Sequence, residues 1–161
     1  MAQLGLVQLP LQIAGERKGD LRTQFAALCW RLRRGRVEVL LVTSRRTKRW
    51  IAPKGWPMKG LTPAAVAARE AWEEAGAVGA PLDLCLGLYT YVKTPEPGEM
   101  GPGTPCAVAV FPVEVRRLER TFPEAGQRRR KWMSRRKAAA RVAEPELARI
   151  IAAFNPAELR R

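Results

Sequence analysis

The tightest constraint on this fold is a helix that the sequence both starts and stops. Pro53 and Pro57 forbid a helix interior and Gly55 permits unusual backbone angles, so residues 54–57 read as a loop. Thr62 is then an N-cap, Pro63 the first helical residue and Gly76 the C′ residue that ends the helix. Between them Ala64, Ala65, Ala67, Ala68, Ala71 and Ala75 give high helix propensity and a slim profile for packing on a sheet. On that helix Glu70, Glu73 and Glu74 stand at i, i+3 and i+4, so three carboxylates project from roughly one face. Arg69 precedes Glu73 by four residues, the spacing of an intrahelical ion pair.

Apolar runs on either side of the helix read as strands. Residues 24–32 and 37–44 flank the turn Arg33-Arg34-Gly35-Arg36 and form a hairpin of two buried strands. Residues 82–94 alternate as a strand does, and residues 106–115 form another, with Pro112 suggesting an edge or a bulge. Residues 116–131 read as a long basic loop. Ser134 caps a helix through Val142, and Glu144-Pro145 opens a second helix whose Leu147, Ile150, Ile151 and Phe154 share a core-facing stripe. The order of strands, helix, strands and helices implies an α/β fold with a mixed sheet covered on both sides.

A length of 161 residues suits one domain, 1–161, with residues 1–20 as a loosely structured lead-in and the C-terminal helices, 134–155, inside the same unit. Gln3, Gln8, Pro10 and Gln12 interrupt the apolar N-terminus, which lacks a basic leader, so neither a signal peptide nor a membrane span is expected. A cytoplasmic protein is the expectation. Cys29, Cys85 and Cys106 lie far apart among apolar neighbours and read as buried free thiols rather than a zinc site. The absence of histidine removes imidazole acid–base chemistry and Ser-His triads. What chemistry there is must run on carboxylates, lysine, cysteine or a bound metal.

A net charge of +14 points to an anionic ligand such as a polyphosphate, a nucleotide or, less favoured, nucleic acid. Against that background the acidic helix is an exception. A lone Arg-Glu-x-x-Glu-Glu is commonly a solvated face with internal ion pairs. Here three close carboxylates follow a Gly/Pro loop that can present a backbone carbonyl and Lys54 to the same point. A divalent cation relieves their repulsion, and all-oxygen ligation selects Mg²⁺ or Mn²⁺. An acidic metal site in a positive surround suits attack on a phosphate ester or anhydride. Arg22, Arg45, Arg46, Lys48, Arg49, Lys54 and Lys59 are the cations placed to contact phosphates, and Trp56 is placed to stack on a base, whereas Trp72 reads as core.

Residues 55–77 resemble the Nudix box, with Gly55, Arg69, Glu70, Ala71, Glu73, Glu74, Gly76 and Ala77 in register. Leu61 departs from the pattern, standing where the box has its first Glu. The resemblance extends over most of residues 22–154, toward bacterial members akin to diphosphoinositol polyphosphate and dinucleoside polyphosphate phosphohydrolases. It implies a Nudix α/β/α sandwich that hydrolyses a pyrophosphate linkage in a nucleoside diphosphate derivative or related polyphosphate. It further implies Mg²⁺ on Glu70, Glu73, Glu74 and the Gly55 carbonyl, Arg69 orienting a glutamate, and Glu70 or Glu74 deprotonating the attacking water. Members often carry a further Glu outside the box, for which Glu114, Glu119 and Glu124 are the candidates, while Gln127 stands where one is expected. The alternative is a non-catalytic module of the same fold that binds nucleotide or RNA through its basic surface, as Leu61 and the charge suggest.

Overall fold

Alternate residues of β1 (Arg22–Arg33) enter opposite cores: Ala26, Leu28 and Trp30 face one side of the sheet, Ala27 and Cys29 the other. The computed structural model describes residues 21–159, and the expected lead-in over 1–20 lies outside them. β2 (Arg36–Thr43) divides in the same way, with Val39 and Leu41 opposed to Leu40 and Val42. The two strands pair antiparallel out to Arg33 and Arg36. Arg34 and Gly35 both have positive φ, 51° and 74°, as a two-residue hairpin turn matching the strand twist requires.

The described residues form an eight-stranded mixed sheet. Its main path places β3 (Trp50–Ile51) beside β2, then β1, then β7 (Thr104–Leu118), then β5 (Ala77–Pro81). β1 and β7 run parallel and the other pairings are antiparallel. β6 (Gly87–Lys93) pairs with the first half of β7, and β8 (Arg130–Ser134) with β2. α1 (Pro63–Ala75) covers the face carrying Ala27, Cys29, Leu40 and Val42. α2 (Arg135–Arg141) and α3 (Pro145–Ala153) cover the other, where Leu147, Ile150, Ile151 and Phe154 meet Trp30 and Tyr89. The expected sandwich and its C-terminal stripe are therefore present.

Several expectations need correction. Lys54 and Gly55 are not loop but β4 (Lys54–Gly55), because Ala26 and Phe25 of β1 pair with them and the Ala27 amide donates to the Pro53 carbonyl at 2.9 Å. The strand expected over 82–94 starts only at Gly87, and residues 77–81 form a strand that was not anticipated. Pro112 is on neither an edge nor a bulge. Its carbonyl accepts from the Leu82 amide at 3.1 Å, so its nitrogen faces the same side, where β7 changes partner from β6 to β5 and no ladder donor is needed. Cys85 is exposed, although Cys29 and Cys106 are buried. Trp72 is half-buried rather than core, with its indole N–H donating to Glu119 at 3.4 Å and Arg69 over its ring.

The helix ends match the sequence signals. Thr62 accepts from the Ala65 amide at 3.2 Å, and Gly76 adopts the left-handed conformation at φ 65°. Gly76 is also crowded: a Cβ there would come within 2.8 Å of the Glu119 carbonyl. Arg130 donates to the Ala75 and Glu119 carbonyls, each at 2.7 Å, and so places a cation at the negative end of α1.

Candidate active site

The spacing of Glu70 and Glu74 turns both toward the sheet beside Ala67 and Ala71, and both are buried, at 8% and 5% exposure. Alanines at these flanking positions allow α1 to lie close to β1 and β4. That closeness shows at Gly55, where an added Cβ would overlap the Glu70 carboxylate. The Lys54 amide donates to Glu74 Oε2 at 3.3 Å, so the two residues of β4 each hold one carboxylate. Glu73 is turned aside and pairs with Arg69 at 3.1 Å in the expected i, i+4 bridge.

Burial dominates the electrostatics. It pushes the Glu70 carboxyl up to about 8, with Glu74, Glu73 and Glu124 adding repulsion. It likewise raises Glu74 to about 7, against the attraction of Arg128 and Lys54. Burial holds the Lys54 ammonium below its ordinary value, opposed by Glu74 and Glu144. Cys29 is pushed up to about 12, first by burial and then by Glu74, so its thiol is not a nucleophile near neutral pH.

Arg128 joins the parts. Its side chain is 8% exposed, lies 3.6 Å from Glu74 and 3.1 Å from Glu124, and donates to the Thr43 carbonyl at 3.1 Å. Of the three glutamates considered outside the box, Glu124 is therefore the one at the cluster. Glu114 is exposed on β7, and Glu119 is bound to Trp72. Nothing in the sequence distinguishes Arg128 from its neighbours. Arg129 lies over Trp50 and Arg130 reaches α1, so three adjacent guanidinium groups serve three places.

A cavity of about 420 Å³ adjoins the carboxylates through Lys54. Arg45, Arg46 and Arg49 line its mouth, together with Lys93 and Glu96, and Tyr91 and Arg128 line it deeper. Arg46 and Arg49 thus share this cavity with Lys54, with Arg46 donating to the Pro95 carbonyl at 2.7 Å. Arg22 and Lys59 are exposed and do not line this cavity. Neither does Trp56, which is 41% exposed; the aromatic wall is Tyr91, with Lys54 over its ring. Leu61 is 43% exposed and contributes no side-chain ligand.

The donor set fits a hard divalent cation: carboxylates held off ionisation chiefly by burial, beside a glycine backbone with no side chain to block approach. Among the described residues, no three Asp, Glu, Cys or His side chains are already gathered at one point, which corrects the expectation of three carboxylates stacked together. Glu73 is engaged by Arg69 through Oε1 alone. That pair is partly exposed, and such pairs contribute about 1 kcal/mol or less.

Gly55→Ala tests the arrangement. Its backbone is not in the left-handed region, so alanine is tolerated in β4, but the new methyl must displace the Glu70 carboxylate. We expect Mg²⁺ affinity to fall by about 10-fold to 100-fold, the range for disturbing a ligand's support, with the melting temperature little changed. Equal Mg²⁺ affinity by calorimetry would contradict this packing.

Known proteins agree with the geometry. Nudix hydrolase 16, mitochondrial, of Arabidopsis thaliana is 34% identical over 98 residues, 61% of this chain and 54% of that protein. The chain thus spans about half the length of this curated relative. An Ap4A hydrolase of C. elegans superposes with a TM-score of 0.62 at 19% identity, covering 86% of this chain and 98% of that one. The MutT protein of Methanosarcina mazei Go1 gives 0.59 at 20% identity, over 88% and 96%. At such identities the likeness is one of fold. Residues 22–154 match the NUDIX domain as a whole, and with the box residues folded as described the chain belongs to the Nudix family.

Proposed function

We propose that the chain is a Mg²⁺-dependent pyrophosphohydrolase acting on a phosphate-rich small molecule: a nucleoside diphosphate derivative, a dinucleoside polyphosphate or a diphosphoinositol polyphosphate. The observation that carries this reading is a pair of buried carboxylates, of which Glu74 contacts Lys54 and Arg128, two cations that line the adjoining cavity. The cations at the mouth hold the polyphosphate, with Lys54 between them and the acidic pair. Glu70, Glu73, Glu74 and the Gly55 carbonyl hold the metal. A bound divalent cation supplies Lewis-acid polarisation of a phosphoryl oxygen and a more acidic water. Either Glu70 or Glu74 accepts the proton of the attacking water, and Arg69 fixes the orientation of Glu73.

The test is a panel of dinucleoside polyphosphates, diphosphoinositol polyphosphates, nucleotide sugars and capped RNA, assayed with Mg²⁺ and Mn²⁺. We expect turnover of at least one class, abolished in Glu73→Gln. No turnover by the wild type across the panel, including at alkaline pH, would sink the proposal. Leu61 favours a second reading, a binding module without catalysis. Steeply salt-dependent RNA binding that survives loss of Glu73 and Glu74 would support it instead.

A further inference from the structure

Glu144 lies at the N-cap of α3, yet its side chain makes no capping bond. It is 9% exposed, and its Oε2 is buried with no hydrogen-bond partner. It also lines the 420 Å³ cavity, on the far side of Lys54 from the catalytic helix. An acceptor oxygen left unsatisfied in an interior costs free energy, and although the Lys54 ammonium attracts this carboxylate, neither a cap nor a hydrogen bond engages its Oε2. Its acceptor oxygens are therefore available to turn to a ligand in that cavity.

The other walls define the ligand. Ile51, Val92, Pro97 and Tyr91 offer apolar and aromatic surface, while Arg45, Arg46 and Arg49 stand at the mouth. A carboxylate accepts hydrogen bonds and donates none, and it repels phosphate. The cavity thus combines cations, Lys54 and Arg128 among them, an apolar wall and a buried acceptor in Glu144, in a volume within the range of small-molecule sites. An inositol polyphosphate is anionic on every side and meets Glu144 unfavourably. A phosphorylated nucleoside matches all three surfaces, because its phosphates pair with the cations while its base or sugar presents an N–H or O–H group to Glu144.

Resting on the hydrolase reading for its site, we propose that Glu144 is a specificity-determining residue that accepts a hydrogen bond from the nucleoside of a nucleotide substrate and disfavours inositol polyphosphates. The experiment measures binding, without turnover, in the full chain with saturating Mg²⁺. The ligands are the α,β-methylene analogues of ADP, GDP and ribose 5-diphosphate, and inositol hexakisphosphate, each titrated into wild type, Glu144→Gln and Glu144→Ala.

We expect Glu144→Ala to weaken the nucleotide analogues by about tenfold or more, the loss of a charged hydrogen bond. Inositol hexakisphosphate should bind as before or more tightly. Weakening of ribose 5-diphosphate as well assigns the bond to the sugar; its retention assigns the bond to the base. Unchanged nucleotide binding, equal weakening of both ligand classes, or a lowered melting temperature with general loss of binding would each overturn the assignment. Failure of the wild type to hydrolyse anything would defeat the hydrolase reading but leave this binding result standing.

Discussion

Glu70→Gln is expected to lower Mg²⁺-supported turnover by about 10³-fold while making the metal-free protein more stable at alkaline pH. On the proposed reading, the first effect follows from removing a charged ligand of a divalent cation that would contribute several kcal/mol to transition-state stabilisation, at about 1.4 kcal/mol per factor of ten. Glutamine keeps the shape packed against Gly55, so the loss is one of charge. The second effect follows from linkage. Glu70 is raised from an ordinary 4.5 to about 8 in the folded protein, first by burial and then by Glu74. Below about pH 4.5 both folded and unfolded chains hold this proton, and its contribution to stability is fully present. As pH rises toward about 8 the unfolded chain has lost the proton that the native chain retains, so stability falls. Glu74, raised to about 7, acts in the same direction. Melting curves in chelator should show the wild-type midpoint dropping across this window, Mg²⁺ reversing the drop, and Glu70→Gln making it shallower. A metal-free midpoint that rises with pH over the same range would show that these carboxylates are not held as described.

Much of the architecture was legible because it depends on periodicity and punctuation. Alternation along residues 24–32 and 37–44 assigned side chains to two cores, and Thr62, Pro63 and Gly76 bounded α1 as its caps require. What escaped was set by distant partners. Residues 77–81 contain little that favours a strand, but β7 supplies the pairing, and Gly79 lies so close to the Glu114 backbone that a Cβ would not fit. Lys54 and Gly55 look like a loop because of Pro53 and Pro57, yet β1 draws them into the sheet, and that pairing brings Gly55 against Glu70.

The candidate site divides along the same line. Glu70, Glu73 and Glu74 are recognisable because one helix sets their spacing. The side chains around them come from separate loops, so spacing says nothing about them. Tyr91, Glu144 and Arg128 are brought to one cavity by β6, the start of α3 and the segment before β8. Arg22 and Lys59 are exposed and lie outside the lining of this cavity. Even within the helix, sequence spacing overstated the symmetry of the carboxylates, since Glu73 turns to Arg69 while the other two are buried.

Arg128→Met carries the largest expected effect on stability, about 3 kcal/mol, because it breaks a buried charge network on one side only. The guanidinium is near Glu74 and Glu124 and donates to the Thr43 carbonyl. Methionine fills much of the volume but removes the cation both carboxylates share, leaving Glu124 with Arg45 at 3.7 Å and Glu74 with Lys54. The cost sits at the low end for buried pairs, since Glu124 is 19% exposed and Glu74 can take up a proton. For a chain of this size that loss corresponds to a fall in midpoint of roughly 6–12 °C. It should grow as pH rises and the carboxylates ionise, and saturating Mg²⁺ should recover part of it by restoring positive charge. Arg128→Lys, which keeps the charge but not the fork that reaches three acceptors, should fall between. Denaturant titrations of the three proteins at two pH values decide the matter. A loss below about 1 kcal/mol for Arg128→Met, the scale of an exposed pair, would mean that the acidic helix and the basic segment before β8 are coupled far more weakly than their geometry implies.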